Sequence, residues 1–151
     1  MIDPNYISGY VDGEGSFLIS FSPREKLSRG IEVRPSFSVS QREDRSEVLS
    51  LMKSYFGSGS IRFNSFDNTR KFEIRSLDIL LNAVLPHFDK YPLLSSKVKD
   101  YAVFKRICMM MKKGEHKSVK GLKKLINLAL MMNLNGSRRY SKGFLLSRLK
   151  I

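Results

Sequence analysis

The sequence predicts an α+β fold in which one four-stranded antiparallel sheet carries its helices on one face. Two observations predict it. The hydrophobic period changes from helical to alternating and back twice along the chain, and the alternating segments form two pairs joined by short polar loops. Such pairs are typical of antiparallel hairpins whose apolar face is covered by helices. With 151 residues, a single domain is expected over 1–151, with a core over about 1–113 and a basic helical extension over about 114–151.

The first helix and the first hairpin are indicated by a cap and by strict alternation. Asp3 and Pro4 are a typical N-cap and first helical residue, so a short helix is predicted over about 4–13. Residues 16–22 and 31–41 then alternate apolar with polar side chains, which is typical of half-buried strands. The eight residues between them, 23–30, are expected to form a charged hairpin loop.

The rest of the chain repeats this order and then becomes helical. Residues 43–56 have helical spacing and end at Gly57, and a second hairpin is predicted over about 60–75. Helices are expected after it over about 76–87, 94–112 and 117–132, and the last segment, 140–150, is short and basic.

The net charge is +13 and lies almost entirely in the second half of the chain. Residues 1–75 hold 11 Lys and Arg against 10 Asp and Glu, whereas residues 76–151 hold 16 against 4. A field of this size is typical of proteins that bind a polyanion, most commonly nucleic acid; the alternative is a lysine-rich solvated surface.

Composition excludes several other classes of site. One cysteine excludes an intrachain disulfide, and two histidines, His87 and His116, make a zinc site unexpected; both are expected at the surface or at helix ends. No apolar run has the length of a membrane span, and the N-terminus lacks a signal-peptide pattern. An intracellular protein without a membrane partner is expected, in a bacterial or archaeal cytoplasm or in an organelle.

The sheet face opposite the helices is expected to bind DNA. Arginine bonds guanine bidentately in the major groove, Ser, Asn and Lys reach other base edges, and an antiparallel ribbon fits that groove. The candidate DNA-binding residues on this face are Ser20, Ser22, Arg24, Arg34, Ser36, Ser38, Arg62, Asn64, Lys71, Glu73 and Arg75. Lys117 and Lys120, in the basic helix, are expected to contact backbone phosphates.

Residues 7–15, with the sequence Ile-Ser-Gly-Tyr-Val-Asp-Gly-Glu-Gly, carry the main chemical signal. Gly9 and Gly13 lie four residues apart on one helix face, which lets another backbone approach closely. Glu14 follows at the helix end in a strongly basic chain. A carboxylate in this setting indicates a divalent cation held against a phosphate, which is nuclease chemistry.

This motif resembles the signature of the LAGLIDADG homing endonucleases, and the αββαββα element order of that family covers residues to about 113. The resemblance implies a saddle-shaped sheet and a site-specific endonuclease that hydrolyses the phosphodiesters of double-stranded DNA with Mg²⁺, for which Mn²⁺ or Ca²⁺ can substitute in binding. It implies that Glu14 and the Gly13 carbonyl hold the metal. The family usually has aspartate where this chain has Glu14.

The resemblance also implies a homodimer, since the motif occurs once and two copies build two active sites. Its interface residues would be Gly9, Tyr10, Asp12 and Gly13. The target would be a pseudo-palindrome of roughly 20 base pairs, about two helical turns. An intron-encoded protein is expected. The alternatives are an intron RNA maturase and a cleavage-inactive DNA-binding protein on the same fold.

Three further residues are placed near the active site by the resemblance. Gln41 matches a polar residue near the nucleophilic water; the alternative is a residue that simply ends its strand. Lys97 matches a basic residue that stabilises phosphate charge, although Lys90 and Lys99 are close enough to take that role. Arg45 is a further candidate for ordering water or phosphate.

Overall fold

The computed structural model describes residues 1–134 and 136–151, and its element order agrees with the predicted one. Helix α1 (Pro4–Glu14) is capped by Asp3, whose carboxylate accepts the Asn5 N–H at 2.7 Å. Strands β1 (Gly15–Pro23) and β2 (Ile31–Arg42) follow, and then helix α2 (Glu47–Phe56). Gly57, at φ 72°, ends α2 in the left-handed conformation that favours glycine.

The second half of the order contains one hairpin and five helices among the described residues. Strands β3 (Ser60–Asn64) and β4 (Thr69–Ile74) form the hairpin. Helices α3 (Leu77–Ile79) and α4 (Leu85–Lys90) are joined by a π-helical turn over Leu80–Val84. The remaining helices are α5 (Lys97–Lys112), α6 (Val119–Ala129) and α7 (Lys142–Ser147). None of the described helices has the length and apolarity that a membrane span requires.

The four strands form one sheet in the order β1-β2-β4-β3, so the α+β prediction is confirmed. Strand β2 pairs with β4 in an antiparallel register that aligns Phe37 with Ile74 and Val39 with Phe72. Strand β3 pairs with β4 and aligns Ile61 with Phe72. Because side chains alternate along a strand, this register collects apolar residues on one face and polar residues on the other.

The chain divides into two compact units, of which the first comprises Met1–Phe17 and Ser36–Val98. Phe37 lies at the centre of its core, with ring centroids 5.5 Å from Phe17, 5.6 Å from Phe88 and 6.3 Å from Phe72. All four rings are buried. The burial of these four rings stabilises the first unit. Helices α1 and α2 add buried apolar side chains to the same core.

The second unit comprises Leu18–Pro35 and Lys99–Ile151. Helix α6 contributes Leu122, Leu125, Ile126 and Ala129 to its core, all at 0% exposure. This spacing of three and four residues places the apolar side chains on one face and leaves the lysines of α6 on the other.

Of the two positions expected for His87, the surface and a helix end, the structure has the second: His87 lies in the last turn of α4, with its ring buried. His87 is 5% exposed and belongs to a hydrogen-bonded network inside the first unit. Its Nε2 lies 3.0 Å from Ser8 Oγ, and its Nδ1 lies 2.8 Å from the Tyr55 hydroxyl. Helical spacing in this segment did not reveal the burial, because its polar partners lie far away in the sequence.

Candidate active site and nucleic-acid interface

Helix α1 ends with Glu14 exposed at its last position, and Gly15 begins β1 directly. The close turn requires glycine at position 15. A Cβ there would lie 2.5 Å from Val11 Cγ1 and 2.9 Å from the Val11 carbonyl oxygen. The last motif glycine therefore allows the chain to turn from helix to strand immediately after Glu14, which leaves that carboxylate at the surface.

Lys97 is held at the same helix end. Its ammonium donates to the carbonyl oxygens of Val11, at 2.8 Å, and Gly15, at 2.5 Å. The carboxyl end of a helix attracts cations, because its last carbonyl groups lack helical partners. By contrast, the Lys90 ammonium lies over the Tyr91 ring at 5.4 Å. Of these two candidates for the active-site lysine, Lys97 is the one that contacts the motif.

Asp12 fastens the segment before α5 to the motif helix. Its carboxylate accepts the backbone N–H of Leu94 at 2.7 Å, the N–H of Ser95 at 3.1 Å and the Ser95 hydroxyl at 2.6 Å. Burial alone raises the Asp12 pKa, but these hydrogen bonds and the nearby Lys97 charge outweigh it and hold the pKa below its ordinary value. Asp12 thus fixes the approach of Lys97 to the helix end.

Ser95 is a residue of this site that the sequence analysis did not identify. Besides binding Asp12, its hydroxyl accepts the Lys97 N–H at 3.2 Å. A serine two residues before a helix start is a recognisable capping signal. Its carboxylate partner, 83 residues earlier, could not be read from local spacing.

Gln41 lies at the end of β2 and is committed to neighbours in the first unit. Its Nε2 donates to the Tyr10 hydroxyl at 2.5 Å, and its Oε1 accepts the Arg42 N–H at 2.9 Å. Gln41, Tyr10 and Arg45 line an open cavity beside α1, together with Tyr6. The side chain therefore does more than end its strand: it ties β2 to the motif helix.

One face of α1 carries Tyr6, Gly9, Tyr10 and Gly13, of which Tyr10 is half-buried and the other three are exposed. A Cβ built at Gly9 or at Gly13 meets nothing within 4 Å, so the fold of the described chain does not itself require glycine at either position. Glycine lowers helix stability relative to alanine at both positions, and no packing within the described chain requires it there.

In the first unit, the polar face of the sheet consists of hydroxyl and charged side chains that the strand register places beside one another. Lys71 aligns with Ser40 and Arg62, and Glu73 aligns with Ser38 and Ser60. Four of the candidate DNA-binding residues are exposed, namely Arg62, Asn64, Lys71 and Arg75. Three others have little exposed surface, namely Ser36 (5%), Ser38 (8%) and Glu73 (8%).

In the second unit, the candidate DNA-binding residues bond one another across the hairpin. Arg34 donates to Ser22 Oγ at 2.8 Å, and Ser20 Oγ donates to the Arg34 carbonyl at 3.3 Å. Arg24 pairs with Glu32 at 2.9 Å, an exposed ion pair of small net value. Lys117 and Lys120 are exposed, as sequence-independent phosphate contacts require.

The comparison with known families finds that the profile described as LAGLIDADG endonuclease matches residues 7–108. The matched segment begins at the motif and ends within α5, so it contains the sheet, most of α1, Gln41 and Lys97. The resemblance drawn from the motif residues is confirmed.

Individual relatives and solved structures give the same assignment. A protein of Neurospora crassa named probable intron-encoded endonuclease 2 is 28% identical over 144 residues, which are 95% of this chain and 32% of that protein. The chain thus spans about a third of that relative. The crystal structure of a homing endonuclease, I-TnaI, has a TM-score of 0.85 and 32% identity, over 97% of this chain and 95% of that one.

A second solved structure contains DNA. It is I-SmaMI bound to its uncleaved DNA target in the presence of calcium ions, with a TM-score of 0.86 and 32% identity. The match covers 92% of this chain and 47% of that chain. One copy of the present fold therefore corresponds to about half of I-SmaMI and to nearly all of I-TnaI.

Proposed function

Because the chain belongs to the LAGLIDADG endonuclease family, we propose that it is a homing endonuclease that cuts double-stranded DNA at a specific site with a divalent metal ion. The observation that carries the proposal is that Glu14 is exposed at the last position of α1, while the Lys97 ammonium bonds the carbonyl of the next residue, Gly15, in a chain of net charge +13. A carboxylate and an ammonium at one helix end can serve a phosphodiester cleavage, the first by binding a metal ion and the second by stabilising negative charge on the phosphate. The name of the Neurospora crassa relative supports an intron as the location of the gene.

The residues at this helix end fit a hard divalent cation. Among the described residues, no group of three or more His, Cys, Asp or Glu side chains could hold a metal alone. Glu14 and the Gly13 carbonyl instead offer a small set of oxygen ligands. Mg²⁺ is commonly bound by one or two carboxylates together with substrate phosphate oxygens and waters. Glu14 and Gly13 would hold the ion, and the bound ion would supply an activated water and charge stabilisation at the phosphate.

The other residues of the site would orient water and neutralise negative charge on the phosphate. Lys97 would stabilise the negative charge that develops on the phosphate, from a position fixed by the carbonyls of Val11 and Gly15. Gln41 and Arg45 would order water at the side of α1, with Gln41 oriented by the Tyr10 hydroxyl. A site held by such neighbours loses little entropy when the DNA binds.

A homodimer would bring two such sites together. The exposed face of α1 carries Gly9 and Gly13, where nothing lies within 4 Å of an added Cβ, so a second helix backbone can approach there. The agreement in length with I-TnaI, and with about half of I-SmaMI, supports one half-site per chain. Two copies related by a two-fold axis would read a pseudo-palindromic target.

The polar sheet face would read the target sequence, and Lys117 and Lys120 would contact phosphates outside it. Exposed Arg62, Lys71 and Arg75 can donate to base edges in the major groove. The alternative functions, RNA maturase and cleavage-inactive DNA-binding protein, do not require an exposed carboxylate at position 14. The cleavage-inactive protein is an outcome of the test below.

The test compares the wild type, Glu14→Gln and the control Glu25→Gln, an exposed carboxylate in the β1–β2 loop. Target duplexes are first selected from a randomised DNA pool in the presence of Ca²⁺ and are then incubated with Mg²⁺. We expect double-strand cleavage by the wild type and by Glu25→Gln, and binding without cleavage by Glu14→Gln. Cleavage by Glu14→Gln would remove this carboxylate from the mechanism. Selection of duplexes that the wild type never cuts would favour the cleavage-inactive protein.

A further inference from the structure

Glu73 is the carboxylate of β4 on the polar face of the sheet. In β4 it lies between Lys71 and Arg75 on the same face, and the register places it opposite Ser38 of β2 and Ser60 of β3. The Glu73 side chain is 8% exposed, whereas those of Lys71 and Arg75 are 45% and 53% exposed. The acid is shielded and its two cationic neighbours are accessible.

Three donors surround the carboxylate. Ser36 Oγ donates to Oε2 at 2.6 Å, Arg75 Nε forms an ion pair with Oε1 at 3.1 Å, and Lys71 Nζ lies 3.6 Å from Oε2. Burial alone raises the Glu73 pKa, but the Ser36 hydrogen bond and the charges of Lys71 and Arg75 outweigh it and lower the pKa below its ordinary value. Glu73 is therefore ionised at neutral pH, and Arg75 and Lys71 balance its negative charge.

The contact with Arg75 has a specific chemical consequence. It engages Nε and leaves Nη1 and Nη2, two nitrogens that can bond O6 and N7 of a guanine together. An arginine on an open sheet face otherwise samples many rotamers, and ordering them on binding costs free energy. A carboxylate at this position also disfavours the approach of phosphate, so Arg75 and Lys71 are kept from non-specific backbone contacts.

We propose that Glu73 is a positioning residue that holds Arg75 and Lys71 in place to recognise bases and thereby sets the sequence specificity of the sheet face. The proposal rests on the proposed DNA-binding function of that face. In this proposal, Glu73 acts through Arg75 and Lys71. Its carboxylate does not itself bond the amino group of a cytosine.

The experiment selects duplexes from a randomised DNA pool with the wild type, Glu73→Gln and Glu32→Gln. Glu32 is the matched control, because it also pairs with an arginine of the polar face, Arg24, but at 28% exposure. We expect Glu73→Gln to lower the preference at the base pair read by Arg75 by about tenfold, within the range of one bidentate contact. Its affinity for unselected DNA should stay equal or rise. Glu32→Gln should keep the wild-type preference at that base pair.

A double variant separates positioning from direct contact. If Glu73 acts through Arg75, the preference at that base pair should be the same in Arg75→Ala and in Glu73→Gln/Arg75→Ala. Additive losses at that base pair, or an unchanged preference in Glu73→Gln, would overturn the proposal. If Glu73→Gln does not fold, Ser36→Ala replaces it, with a smaller loss expected at the same base pair.

Failure of the underlying function has a different signature. A wild-type protein that selects no sequence at all would refute DNA recognition by the sheet face, and the proposal for Glu73 with it. A wild-type protein that selects a sequence which Glu73→Gln selects equally well refutes only the positioning role.

Discussion

Acidification should destabilise the protein through His87 before its carboxylates are protonated. The neutral ring satisfies every partner in the buried network. Ser8 Oγ donates to the Tyr91 carbonyl at 2.6 Å, so its oxygen accepts from His87 Nε2, and the Tyr55 hydroxyl donates to Nδ1. Burial lowers the His87 pKa to about 4. A proton added to Nδ1 would face the hydroxyl that now donates to it.

The magnitude follows from linkage. The unfolded chain binds a proton at His87 below its ordinary pKa of 6.5, whereas the folded chain binds it only near pH 4. This contribution to stability is complete above pH 6.5 and is lost as the pH falls from 6.5 to 4. The whole effect is about 3 kcal/mol, of which about 2 kcal/mol is lost by about pH 5.

The assay is urea unfolding at about pH 7.5 and about pH 5 for the wild type, His87→Gln and His116→Gln. We expect His87→Gln to lack most of the loss seen in the wild type, since glutamine can hydrogen-bond Ser8 and Tyr55 without titrating. His116→Gln controls for the other histidine, whose pKa is also lowered by burial. The pKa values of Asp12 and Glu73 lie below those of ordinary carboxyl groups, so their contributions to the free energy of unfolding are lost at lower pH than that of His87. Equal losses in the wild type and His87→Gln would refute the reasoning.

Three further predictions concern single residues. Gly9→Ala should stabilise an isolated monomer by up to about 1 kcal/mol in urea unfolding, but should weaken dimerisation in sedimentation experiments; an unchanged dimer would remove Gly9 from the interface. Asp12→Ala should lower the free energy of unfolding by about 1–3 kcal/mol, because two backbone N–H groups and the Ser95 hydroxyl lose their acceptor; a neutral result would contradict that role. Lys120→Gln should reduce the slope of log affinity against log salt by about 1 on duplex DNA, whatever its sequence, and a sequence-dependent loss would indicate a base contact.

Local pattern was sufficient to predict the element order and the motif, because alternation and helical spacing each persist over many residues. Thus β2, with Phe37 and Val39 on one side and serines on the other, could be placed on a sheet with a polar face. The same pattern set the position of Glu14 at a helix end.

Contacts between distant segments could not be predicted in this way. The partners of Asp12 lie 82 and 83 residues away, and Ser8 and His87 are 79 residues apart. The burial of Glu73 depends on Ser36 from another strand, so alternation alone predicted the same exposure for Glu73 as for Arg75. Side-chain partners of this kind follow from strand register and helix packing, which a single sequence does not specify.

The fastening of residues 94–97 to α1 has a consequence for redesign. Engineers who remodel the exposed face of α1 to pair two different chains would tilt or turn that helix. Because Asp12 holds Ser95, and the Val11 and Gly15 carbonyls hold Lys97, the lysine would travel with the helix. If α1 pairs two copies and Lys97 acts on the phosphate, as proposed, a change in helix pairing also moves the active-site lysine. Substitutions for new pairing should therefore be confined to the first two turns of α1.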